Sequence, residues 1–211
     1  MYTIGTQGCR ITSCRLEQSP NYIALKRREF VARMVSPSFL LTFRHLRTVV
    51  HTQIVFEQAF ARTADWELLR WVPERLLENQ FTITQYGEVR HSKIRADGFF
   101  QYQHTASGQT YSAFVECDLG TMNHEQILAK CERYLRYFQT ELPEARYGTR
   151  WFQVLIITSN RQRALQLWRT IGRLTRSIFF LTHFDVMTEP SLLTQRIWLR
   201  VGRESAHALV E

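Results

Sequence analysis

Glycine is scarce in this chain, nine of 211 residues, and no GxGxxG or GxxxxGK[ST] run occurs. Loops that cradle nucleotide phosphates on backbone N–H groups are therefore excluded. The four cysteines, Cys9, Cys14, Cys117 and Cys131, form no CxxC pair and have no histidine at ligand spacing. They read as reduced, mostly buried thiols rather than as a zinc site. No apolar run approaches the ~18 residues that a membrane span needs. The N-terminal stretch MYTIGTQGCRITSCR has no basic segment leading into an apolar one, so no signal peptide is read and the cytoplasm is the expected setting.

What the chain does have is apolar bulk and positive charge. Hydrophobic residues make up 45% and aromatic residues 13%, with 14 Phe and 5 Trp, enough to bury the core of one ordinary domain. Against 19 Asp and Glu stand 27 Lys and Arg, for a net charge of +8 and a pI near 9.7. A balance of that sign points to a polyanionic partner, with nucleic acid first among them.

Residues 1–50 read as a basic N-terminal arm with short helices, and residues 51–211 as an α/β core. Lys26, Arg27 and Arg28 supply much of the arm's charge, and Ser36-Pro37 breaks its helical pattern in two. Thr52 to Leu77 carries apolar residues at helical spacing, so a helix is expected there, interrupted near Pro73. The period then turns to that of strands, in FTITQY (81–86), KIRADGFFQYQ (93–103) and QTYSAFVECD (109–118). Asn123 and Gln126 form a capping box for a helix whose apolar stripe includes Ile127, Cys131 and Tyr134. WFQVLIIT (151–158) reads as a central strand covered on both faces, followed by a helix from about Asn160 to Thr175, the strand IFFLTHF, a loop at Pro190, and RIWLRV as a last strand or edge. The layout is α/β with a mixed sheet flanked by helices.

The residues that carry chemistry lie between Asp97 and Lys130. If the two strands around TASGQ pair as a hairpin, a turn centred on Ala106-Ser107 sets Asp97 opposite Glu116, and one centred on Ser107-Gly108 sets it opposite Asp118. Glu116 and Asp118 are two apart on a strand and share a face. Either register gathers three carboxylates, which repel one another unless a cation or protons neutralise them. A divalent ion, Mg²⁺ or Mn²⁺, suits such hard oxygen donors and activates water toward a phosphodiester. Lys130, at the edge of its helix's apolar stripe, is placed to reach across the sheet end and orient that water or stabilise phosphate charge. The plainer reading makes Asp97 a turn residue and the others solvated surface charges.

At these residues the sequence resembles the plasmid replication-relaxation family. The match is Ala96-Asp97-Gly98 for a PDG-type turn, Glu116-Cys117-Asp118-Leu119-Gly120-Thr121 for a strand ending in ExDxGT, then Lys130 and Tyr134 on the following helix. The resemblance spans about residues 45–175. It implies a core similar to PD-(D/E)XK nucleases, kinship with MOBC-class mobilisation relaxases, and a Mg²⁺- or Mn²⁺-dependent site at Asp97, Glu116 and Asp118 with Lys130 as the displaced lysine. It also implies DNA as partner, with room for other proteins of a plasmid or mobile-element complex and for a homodimer. Ala96 stands where the family has proline, and Asp118 where nucleases carry lysine. The seven histidines include no HxH pair, against the His-hydrophobe-His type of relaxase. His124 reads as a surface residue and Tyr134 as a core or rim residue. Arg169, Arg173 and Arg176 form a stripe suited to a phosphate backbone. The expected function is thus a metal-dependent DNA endonuclease or relaxase-like nicking protein. The alternatives are a non-catalytic DNA-binding regulator of plasmid replication or transfer, and a scaffold whose arginines meet an acidic protein.

Overall fold

The computed structural model describes residues 37–85 and 88–210. Lys26, Arg27 and Arg28, Cys9 and Cys14, and the first of the two helical pieces expected before Pro37 lie outside the described residues. The chain divides into two compact units, Met1–Arg47 and Thr48–Glu211. In the first, the described residues are helical. They open helix α1 (Pro37–Arg62) with a proline as its first residue, where a missing N–H leaves no helical bond unmade.

The second unit is built on strands β1 (Trp66–Pro73), β2 (Glu78–Gln85), β3 (Glu88–Arg95), β4 (Gly98–His104), β5 (Thr110–Asp118), β6 (Gln153–Thr158), β7 (Phe179–His183), β8 (Trp198–Arg200) and β9 (Ala206–His207). Seven of them form one mixed sheet in the order β1-β4-β5-β6-β7-β8-β9, while β2 and β3 pair separately. The three central strands β5, β6 and β7 are parallel, and the outer pairings are antiparallel. Helices α2 (His124–Phe138), α3 (Leu142–Tyr147) and α4 (Arg161–Gly172) occupy the connections. Ile127, Tyr134, Leu167 and Ile171 pack on the sheet face that carries Phe114 and Val154. The opposite face, with Phe100, Tyr102, Val115 and Leu155, is covered by Phe56 and Phe60 of α1 and by Leu192, Leu193 and Leu209. Among the described residues no helix is long and apolar enough to cross a membrane.

The helix expected over Thr52–Leu77 ends instead at Arg62, and Trp66–Pro73 is an edge strand. Its register slips between Leu68 and Arg70, so Trp66 and Leu68 alternate but Trp71 and Val72 fall out of step. A bulge of this kind breaks the period of two and leaves a spacing that imitates a helix. KIRADGFFQYQ, read as one strand, is two: it divides at Ala96-Asp97, where the chain passes from the small sheet to the large one. The capping box at Asn123 and Gln126 is present in both directions.

Candidate functional site

The site is set by the β4–β5 hairpin. Its register pairs Gly98 with Val115 and Phe99 with Phe114, which places Asp97, one residue before β4, across from Glu116. Of the two registers considered from sequence, this is the one centred on Ala106-Ser107. The Asp97 amide donates to the Val115 carbonyl at 3.0 Å. Its carboxylate Oδ2 accepts from the Cys117 amide at 2.7 Å, so the side chain is clamped to the central strand. Glu116 lies within β5 between β4 and β6, and Asp118 ends that strand level with Thr158.

All three carboxylates are buried, and each has protein partners. Glu116 Oε2 accepts from the Lys130 ammonium, and Oε1 accepts from the Tyr134 hydroxyl. Lys130 and Tyr134 are four apart on α2 and project from one face, so a single helix delivers both groups. Asp118 Oδ2 accepts from Arg163 Nε at 2.7 Å, and Oδ1 accepts from the Gly120 amide at 3.1 Å. Gly120 has φ +82°, a conformation glycine takes without strain as the chain turns away from β5. Arg163 also donates to the Met122 carbonyl at 2.6 Å, tying the start of α4 to the loop after β5.

Burial pushes the Glu116 carboxyl up to about 7, reinforced by the Asp97 charge and opposed by Lys130. Lys130 is raised above its ordinary value, because Glu116 and Asp97 outweigh the lowering effect of its own burial. Tyr134 is pushed up by burial and by Glu116, so it stays a hydroxyl donor. Cys131, beneath the site, is pushed up to about 12 by burial and is an unreactive thiol. A cavity of about 10 Å³, room for about one water, adjoins Glu116, Asp118, Lys130 and Tyr134.

The structure therefore brings together Asp97, Glu116 and Lys130, adds Tyr134, and holds Asp118 beside Arg163. Among the described residues, Asp97, Glu116 and Asp118 do not bring one oxygen each within 4.8 Å of one another. Of the three carboxylates, Glu116 is paired with Lys130 and Asp118 with Arg163, while Asp97 accepts from a backbone amide. Arg163 is a site residue that the sequence reading did not single out. No local pattern marks it: the first turn of the helix after β6 lies beside the end of β5 because those two strands are parallel neighbours with level ends. His124 is exposed at the start of α2 and shares a hydrogen bond with Thr170 at 3.4 Å, away from the carboxylates. Arg169, Arg173 and Arg176 are exposed at and beyond the end of α4, and among the described residues none of them joins an ion pair.

A family model described as replication-relaxation matches residues 1–151 of the chain. No curated protein and no solved structure matches it. The matched stretch includes Asp97, Glu116, Asp118, Lys130 and Tyr134, and ends before Arg163.

Proposed function

The chain belongs to the replication-relaxation family, and from that premise we propose that it acts on DNA during replication or transfer of a plasmid or other mobile element. In this reading it is a cytoplasmic, metal-dependent nicking protein, and Asp97, Glu116 and Lys130 form its cleavage site. The observation that carries the reading is the Lys130 ammonium bonded to Glu116 directly across the hairpin from Asp97. Two facing carboxylates and one lysine near the end of a mixed sheet are the residue set that PD-(D/E)XK-type chemistry employs.

The donor chemistry of Asp97 and Glu116 suits Mg²⁺ or Mn²⁺, and these two would hold the ion. When bound, such an ion supplies a nucleophilic water near neutral pH and polarises a phosphoryl oxygen. The remaining tasks fall to the chain itself. Tyr134 fixes one oxygen of Glu116, and the Asp97 carboxylate is fixed by the Cys117 amide, so both acids are held before any substrate arrives. Lys130 is the cation beside the site, suited to stabilising charge on a phosphate oxygen. Arg163 keeps Asp118 paired and gives it a positioning role in place of a ligand's.

A second reading, a DNA-binding regulator that cuts nothing, draws on a specific observation: both oxygens of Glu116 and both of Asp118 already accept hydrogen bonds from the protein. Incubation of the full chain with supercoiled plasmid and Mg²⁺ or Mn²⁺, with EDTA as control, separates the two. Conversion to open circles that EDTA blocks is the expected result. Protein that retards DNA yet leaves it supercoiled with both ions is the regulator.

A further inference from the structure

Two adjoining cavities lie away from the acidic cluster, at the end of the sheet where the parallel strands β5, β6 and β7 begin. One measures about 380 Å³ and the other about 220 Å³, and they share Tyr111, Gln153, Phe180 and Arg200 as walls. The larger is within the range of roughly 300–1,000 Å³ usual for small-ligand sites. Trp151, 72% exposed, flanks the larger cavity, and Trp66 lines the smaller. The acidic cluster sits at the other end of these strands, where Asp118 and Thr158 close β5 and β6.

The shared walls are aromatic and cationic. Tyr111 stacks on Tyr102 at 5.3 Å and 17°, with Trp66 5.5 Å from Tyr111. The Arg200 guanidinium lies 5.5 Å from the centre of the Phe180 ring and, among the described residues, joins no ion pair. Polar groups remain to be satisfied. His207 Nε2, on the wall of the smaller cavity, is buried and has no hydrogen-bond partner. Gln153 uses its oxygen to accept from the Tyr102 hydroxyl at 3.3 Å, which leaves its amide nitrogen as a donor. Ile178, beside the larger cavity, has φ +54°, a left-handed conformation that strains a β-branched residue and is held where local structure serves a site.

We propose that this aromatic and arginine-walled cleft takes an unpaired nucleobase of a single DNA strand, stacked against Tyr111 and Trp66, with the adjoining phosphate on Arg200. Flat rings present faces that any base can stack on, and an arginine beside them matches the backbone charge. The Gln153 amide nitrogen supplies a donor for a base edge. A protein of net charge +8 draws such a polyanion to its surface. The cleft is distinct in position and chemistry from the acidic cluster, and it serves a nicking protein or a regulator equally.

The test is a tryptophan-fluorescence titration of the full chain with an oligothymidylate of about eight nucleotides, within the ~4–16 that single-strand sites span. Thymidine monophosphate and a duplex of equal length are run in parallel. Quenching by the oligonucleotide is expected, with Tyr111→Ala weakening it about tenfold. Arg200→Gln, an exposed substitution that spares the core, should flatten the log–log salt dependence by about 0.7. Absence of quenching by the single strand overturns the proposal, as does tighter binding of the duplex. Unchanged affinity and salt slope in both variants, with wild-type circular dichroism, also overturns it. Quenching by the mononucleotide at equal concentration would assign the cleft to free nucleotides and overturn the single-strand assignment. Loss of nicking in Glu116→Gln with oligonucleotide affinity intact leaves the cleft standing, so the two readings fail separately.

Discussion

At the scale of single residues, the chemistry turns on Glu116, a carboxyl buried in the sheet and shared between Lys130 and Tyr134. Because burial lifts it from an ordinary 4.5 to about 7, the folded chain keeps a proton that the unfolded chain has lost. Its contribution to stability is therefore full below about pH 4.5, falls as the pH rises, and is gone above about pH 7. Urea unfolding of wild type and Glu116→Gln at pH 5 and pH 7 should show wild type losing about 2 kcal/mol relative to the variant over that interval. A pH-independent difference would place the proton elsewhere. In the nicking reading, the same variant should lose cleavage of supercoiled plasmid and keep its DNA affinity, since a ligand charge is removed without a change of shape. Lys130→Ala strips the counter-charge from a buried acid and should destabilise by roughly 3 kcal/mol, part of which returns when Glu116→Gln is added. Additive effects in that double-mutant cycle would mean that the two side chains are not coupled. That Asp97 would meet a carboxylate of the next strand was legible in the sequence because hairpin register acts over short separations, though which of Glu116 and Asp118 it faces was open, and the edge of an apolar stripe placed Lys130 toward the same sheet end. Arg163 was not legible, since its meeting with Asp118 depends on which strands are neighbours, a fact no local period encodes.

At the scale of elements, the hairpin that aligns the acids is itself gripped by the edge strand. Gly98, paired with Pro73, has the Trp71 ring where a Cβ would stand, 2.6 Å from its Cζ2. Gly98→Ala should therefore push the ring away, loosen the β1–β4 pairing and cost about 1–3 kcal/mol, measured as a lowered urea midpoint. A midpoint within error of wild type would show that the ring moves freely and that β1 does not brace the site. That strand was the element least legible in sequence, because its bulge leaves Leu68, Trp71 and Val72 at intervals of three and four that suit a helix as well as a strand. The helix α2 was the most legible: Asn123 accepts from the Gln126 amide at 2.9 Å, the Gln126 side chain accepts from the Asn123 amide at 2.9 Å, and the apolar stripe behind them is unbroken. The division at Ala96-Asp97 was hidden for a third reason. Ala96, Asp97 and Gly98 are poor strand formers, but strand-like residues on both sides outweigh them in a reading by period, and the Asp97 carboxylate, accepting from the Cys117 amide, marks where one strand stops and the next begins.

At the scale of the molecule, the question is where a chain of net charge +8 meets its polyanion. Counter-charges within the site are already committed, Lys130 to Glu116 and Arg163 to Asp118, so they add little to long-range attraction. Arg169, Arg173 and Arg176, by contrast, are exposed and joined to no acid among the described residues. The Trp168 ring nitrogen donates to the Arg200 carbonyl at 3.0 Å, which holds the helix bearing this stripe against the strand bearing Arg200. If the stripe lies on duplex phosphates, each contact releases condensed counterions and adds about 0.9 to the slope of log affinity against log salt. Reversing all three charges should then lower that slope by up to about 3 and weaken binding most at low salt, with Glu116→Gln as a control that leaves the slope unchanged. Gel retardation of one duplex at several salt concentrations reads both quantities. An unchanged slope in the triple variant would move the duplex to the basic arm around Lys26, Arg27 and Arg28, whose charge the sequence displays as openly as that of α4. A lowered slope with unchanged oligothymidylate affinity would show duplex and single strand held on separate surfaces.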